Sequence, residues 1–176
     1  MKLTWFGGTT MRIHIGGKML VIDAAGAPVG IDRTELVSGA DVVLSLADLA
    51  GIEAGEPASW APRKAGALID EAELPELQIF RLGDALVVDA VGERPLLLVT
   101  GEIERMGRWA WNAVVVVLGA AEALPDTAAI ALERLGPKLI AVAGPEAAVD
   151  QVMLRLQNRL DGTGFMALEA GLALEV

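Results

Sequence analysis

The chain of 176 residues reads as an α+β protein, two sheets packed together with helices outside. Three observations lead there. The first hundred residues break into short apolar or alternating runs separated by glycine-bearing turns, the pattern of strands and hairpins. The last third alternates apolar runs with helix-period stretches, which gives β-α-β-α-β. No linker rich in turn residues divides the chain and no fixed-period repeat runs through it, so one domain is expected over 1–176. A chain of this length buries roughly 70% of its unfolded surface and needs no staples.

Leu3 to Phe6 is the first expected strand and Met11 to Ile15 the second, followed by a tight turn at Gly16-Gly17. Met19 to Ile22 is an apolar run of buried-strand length. A short polar helix is expected near Asp32 to Val37, then a strand from Asp41 to Ser45. Gly51, Gly55, Pro57 and Pro62 interrupt the stretch from Leu46 to Lys64, which reads mostly as loop. Strands follow at Gly66–Asp70, Leu77–Leu82, Ala85–Ala90 and Pro95–Thr100, with turns at Gly83-Asp84 and Gly92-Glu93-Arg94 making a meander. Ala113 to Leu118 is a wholly apolar strand. A helix from about Thr127 to Leu135 takes Asp126 as its N-cap and Gly136-Pro137 as its stop. Lys138 to Val142 is a strand. The next helix, about Pro145 to Leu160, sets Val149, Val152, Met153, Leu156 and Leu160 on one face. Gly164–Leu168 and Leu172–Val176 close the chain as strands.

Composition excludes several classes of function. Cysteine is absent, which removes disulfides, thiolate ligands and a cysteine nucleophile. The start, MKLTWFGG, has no long apolar run after Lys2 and does not read as a signal peptide. The best apolar stretch, Ala113 to Ala121, is about half the ~18 residues of a membrane helix, so a cytoplasmic location is expected. Net charge is −10, and residues 53 to 104 hold 11 acids against 4 bases. Such a surface repels phosphate backbones and anionic lipid, so neither nucleic acid nor membrane is expected as a partner.

The order of these elements, with local sequence, resembles the metallo-β-lactamase superfamily, in the branch that holds the L-ascorbate-6-phosphate lactonases. Lys2-Leu3-Thr4-Trp5-Phe6-Gly7-Gly8 and Gly17-Lys18-Met19-Leu20-Val21-Ile22-Asp23 are similar to the branch's W-L-G-H opening and G-G-K-x-x-L-I-D-P strand. Gly39-Ala40-Asp41-Val42-Val43-Leu44-Ser45 looks like the strand before the metal motif, and Leu97-Leu98-Val99-Thr100-Gly101-Glu102 like the strand ending in T-G-D. Leu135-Gly136-Pro137-Lys138-Leu139-Ile140 resembles the L-K-P-K-x-x-I-P-M-H strand, and Ala170-Gly171 the P-G-E turn. The resemblance spans nearly the whole chain. It implies an αββα sandwich of the metallo-β-lactamase type, with two mixed sheets and helices outside.

The metal ligands of that family are missing. Where H-x-H-x-D-H would stand, the chain has Leu46, Ala47, Asp48, Leu49, Ala50 and Gly51. The late histidine aligns with Ala143, the opening one with Gly8, and the bridging aspartate with Glu102. Counting alone agrees: a catalytic zinc takes three protein ligands, usually two or more from His or Cys, and the chain has one histidine and no cysteine. Neither a catalytic residue, nor a zinc site, nor a cofactor is expected.

What remains divides between chemistry and packing. His14 shares the polar strand face with Arg12 and reads as a surface histidine. Asp23, Asp48 and Glu102 would converge at strand ends if the family's topology holds; they could keep a remnant pocket for a hard cation, or Asp23 could cap its own turn. Gly7-Gly8-Thr9-Thr10 reads as a strand-to-strand turn, with an anion-binding nest as the alternative. Ser38, Ser45 and Ser59 are the only serines and none sits in a G-x-S-x-G elbow. Arg105, Arg108, Trp109 and Trp111 crowd one loop and, with Trp60, are candidates for partner or ligand binding; the alternative is that Trp109 and Trp111 fold inward and plug the emptied cavity. The expected protein is a non-catalytic domain acting by binding or self-association, as a homo-oligomer or with a protein partner. A hydrolase with a rebuilt carboxylate-held metal, or a sensor holding a small molecule in the former cleft, is the rival.

Overall fold

The computed structural model describes residues 1–49, 51–63 and 77–176. The strand expected at Gly66–Asp70 lies outside them. Eleven strands and three α-helices are present among the described residues. In chain order they are β1 (Lys2–Gly7), β2 (Thr10–Ile15), β3 (Lys18–Ile22), α1 (Arg33–Val37), β4 (Val42–Leu44), β5 (Leu77–Leu82), β6 (Ala85–Ala90), β7 (Leu96–Val99), β8 (Val114–Val117), α2 (Leu124–Leu135), β9 (Leu139–Ala143), α3 (Glu146–Leu156), β10 (Gly164–Leu168) and β11 (Ala173–Glu175).

The strands form two mixed sheets. The first has the order β11-β1-β2-β3-β4 and the second β10-β9-β8-β7-β6-β5. In the first only the β3–β4 pair is parallel; in the second β7 through β10 are parallel and the β5-β6-β7 meander antiparallel. Gly16 and Gly17, at φ 57° and 74°, turn β2 into β3, a two-residue hairpin that needs positive φ at both positions.

Alternation decides which side chains meet. Leu3, Trp5, Met11, Ile13, Leu20 and Ile22 turn inward from the first sheet. They pack on Leu86, Val88, Leu96, Leu98, Val114 and Val116 of the second. The opposite face of the second sheet, with Val87, Leu97, Val115 and Val142, packs on α2 and α3 through Leu124, Ala128, Leu135, Val152 and Leu156. β7 and β8 are therefore buried on both faces, which is why they read as unbroken apolar runs. Among the described residues, the α-helix on the outer face of the first sheet is α1, whose Glu35 and Leu36 carbonyls accept from Arg12 at 2.6 Å. The described residues thus form an α+β sandwich with α2 and α3 on one side and the short α1 on the other. No helix among the described residues is long and apolar enough to cross a membrane.

Two helix boundaries differ from expectation. α2 begins at Leu124 with Ala123 as N-cap, so Asp126 is not the cap. Pro125 fits the first turn because that turn's N–H groups have no helical acceptor, and this moves the start upstream. Asp126 instead pairs with Arg155 of α3 at 2.6 Å. α3 ends at Leu156 rather than Leu160; Leu160 still packs against the core from the following turn, so the apolar period outlasts the helix.

Candidate functional site

The C-terminal ends of β1, β3 and β4 meet those of β7, β9 and β10 along one edge of the sandwich. This follows from the pairings, and from two cavities that each draw on both sheets. Crossover loops gather at such an edge, so ligands bind there in many unrelated proteins.

Asp23 follows β3 in a left-handed conformation, φ 48°. Its Oδ1 accepts from Ser45 Oγ at 2.9 Å and from the Leu46 N–H at 2.9 Å. Its own N–H donates to the Leu44 carbonyl at 2.8 Å, and its carbonyl accepts from Thr10 Oγ1 at 2.9 Å. Ser45 Oγ also accepts from the Ala47 N–H at 3.3 Å. The side chain therefore caps the end of the neighbouring strand rather than its own turn, and pins the segment that opens at Leu46 where the family's metal motif would begin.

Asp48 borders a cleft of about 400 Å³ with Leu46, Ala47, Leu49, Arg81, Gly83, Asp84, Thr100 and Gly101. Glu102 is exposed and does not line it. Asp23, Asp48 and Glu102 are not brought together, and among the described residues no group of three His, Asp or Glu side chains could hold a metal. The Asp23 carboxylate is turned onto the β4 end. The residues present do not fit the family's zinc pair.

The cleft's polar groups are Asp48, Arg81, Asp84 and Thr100. Sequence reading missed Arg81 and Asp84, because only the β5–β6 hairpin and the crossing of the two sheets bring them to Asp48. Two carboxylates, a guanidinium and a hydroxyl can both donate to and accept from a polar ligand. A second cavity of about 580 Å³ lies on the same edge, with Trp5, Val149 and Leu168 under Glu146, Asp150 and Glu169. Trp5 is held there by its Nε1–H to the Gly8 carbonyl at 2.9 Å. Gly8-Thr9 is the β1–β2 turn, and His14 is exposed on the outer face of β2.

The tryptophans go elsewhere. Trp109 meets Trp60 edge-on with ring centroids 4.5 Å apart, and Trp60 meets Phe80 at 5.7 Å. With Met106 they pack on the core shared by the second sheet and the helices. The 100–113 crossover, carrying Ile103 and Ala110, packs on the same core, and Arg134 of α2 donates to the Ile103 carbonyl. Gly107 allows the close approach: a Cβ there would sit 2.8 Å from Trp109 Cδ1. Trp111 instead is 64% exposed beside Gly136 at the end of α2, and Arg105 and Arg108 are exposed. None of the three tryptophans lines the Asp48 cleft. Packing accounts for Trp60 and Trp109, so as partner anchors only Trp111, Arg105 and Arg108 remain.

No family model matches the chain, and no curated protein does. Among solved structures the fold is similar to that of an isothiocyanate hydrolase from Delia radicum gut bacteria. The TM-score is 0.57 over 100% of this chain and 99% of that one, at 13% identity. At that identity the likeness is one of fold.

Proposed function

We propose that this chain is a zinc-site-deficient protein of the metallo-β-lactamase type that acts by binding rather than by hydrolysis, with a small polar ligand taken in the Asp48–Arg81–Asp84–Thr100 cleft. One observation carries the reading: Asp23, a carboxylate on the family's metal side, is engaged by Ser45 and Leu46 as a backbone cap. A cleft that neither Trp109 nor Trp111 lines supports binding over a scaffold plugged by those tryptophans. The net charge of −10 disfavours nucleic acid and anionic lipid as partners.

A second reading has a specific observation behind it. Asp48 and Asp84 border the same cleft, and the similar solved structure is a hydrolase, so a hard cation on those two oxygens could support hydrolysis. Elemental analysis of protein purified without a histidine tag, with melting curves with and without chelator, separates the two. Binding without a metal predicts no stoichiometric metal and an unchanged Tm. One equivalent of metal, lost in Asp48→Asn and stabilising when present, would replace the binding reading with the hydrolase.

A further inference from the structure

Each sheet ends in two edge strands, β11 and β4 in the first and β10 and β5 in the second. An unprotected edge offers a row of backbone donors and acceptors to another strand, and proteins blunt such edges with brevity, charge, bulges or covers. β4 and β11 are three residues each, and β11 carries Glu175. β5 is covered at Arg81, whose N–H donates to the Glu53 carbonyl and whose carbonyl accepts from the Gly55 N–H, both at 2.9 Å.

β10 has none of these devices. Its five residues, Gly164-Phe165-Met166-Ala167-Leu168, include no charge and no proline. They keep an unbroken parallel register with Leu139–Ala143 of β9. The Gly164 N–H donates inward to the Lys138 carbonyl at 2.9 Å. Alternation then turns Gly164, Met166 and Leu168 to β9, and directs the N–H and C=O of Phe165 and Ala167 outward. No described residue bonds to those outward groups. Gly164, Met166 and Ala167 are exposed, Met166 by 44%, so no described residue blocks the approach.

We infer that β10 is a self-association edge, on which a second copy of the chain pairs antiparallel about a two-fold axis through Met166. The outward groups fit that register: Phe165 stands opposite the partner's Ala167 as a doubly hydrogen-bonded pair, and the axis repeats the pair, giving four backbone bonds. The two six-stranded sheets become one. Charge selects the same place. Copies of net charge −10 repel, and contact is cheapest where no acids meet. In this register Glu169 lies opposite the partner's Thr163, and the two Glu169 carboxylates stay roughly 20 Å apart. The inference goes beyond the cleft reading and does not depend on it.

Met166 faces its own copy as a non-hydrogen-bonded pair, with Cα atoms about 4.5 Å apart, within disulfide reach. The chain has no cysteine, so Met166→Cys introduces a single thiol. Under mild oxidation this variant should cross-link nearly completely to a covalent dimer on a non-reducing gel. Leu154→Cys, 68% exposed on α3, should not. Sedimentation of the unmodified protein at about 100 µM, high enough for a small-interface dimer, should show the dimer. Met166→Lys, which sets two ammonium groups face to face at an exposed position, should weaken it at least tenfold with Tm unchanged. A monomer at that concentration, a dimer indifferent to Met166→Lys, or equal cross-linking of the two thiol variants would overturn the assignment.

Discussion

Replacing Asp23 separates a structural carboxylate from a chemical one. In Asp23→Ala the half-buried Leu46 N–H loses its acceptor, worth about 1.5 kcal/mol, while the exposed Ser45 hydroxyl recovers water and costs about 0.5 to 1 kcal/mol. Alanine at φ 48° adds about 1 kcal/mol of left-handed strain that aspartate tolerates better. The sum is about 3 kcal/mol. With an m-value of about 2 kcal/mol/M in urea, the unfolding midpoint should fall by about 1.5 M. Asp23→Gly removes the strain and should stand about 1 kcal/mol above the alanine variant. Asp23→Asn keeps an acceptor oxygen and accepts the left-handed backbone, so it should lose about 1 kcal/mol or less. The expected order is Asn, then Gly, then Ala, measured by urea melts followed by circular dichroism. An asparagine variant as unstable as the alanine one would show that charge, not capping, is what the position supplies. All three within 0.5 kcal/mol of the parent would refute the cap itself.

Two further outcomes follow from side-chain burial. Asp89, 1% exposed on β6, holds Arg63 through Nε at 2.7 Å and through its own carbonyl at 2.9 Å, so the chain at Arg63 is tied to the sheet by a buried ion pair. Arg63→Ala leaves that carboxylate uncompensated and should cost about 3 to 5 kcal/mol in a denaturant melt, with the Arg63→Met/Asp89→Leu double variant regaining most of it. Trp109→Ala, which empties the Trp60 contact, should destabilise by about 3 to 5 kcal/mol, whereas Trp111→Ala should stay within about 0.5 kcal/mol, measured the same way.

What was legible in the sequence is what local pattern controls. β5, β6 and β10 fall on the expected residues because turn glycines and apolar alternation define them. The two-sheet arrangement follows from strands followed by a β-α-β-α-β run. Helix ends were less legible, since Pro125 and Leu160 satisfy packing as well as periodicity. The site was least legible. Asp23 and Leu46 are 23 residues apart and meet only because β3 and β4 pair in parallel. Trp60 and Trp109 look like binding anchors in a loop until their packing on the core is seen.

The edge itself explains why an open cleft is weak support for catalysis. Parallel strands and their crossovers bring loops to one end of the sandwich whatever the loops carry, so a hollow forms there with or without chemistry. What distinguishes a reactive site is whether its acids are left to substrate or engaged by backbone. Asp23 is engaged by the Leu46 N–H and the Ser45 hydroxyl. Asp48 and Asp84 share their cleft with Arg81, a permanent cation. Recognition needs only that arrangement of donors and acceptors.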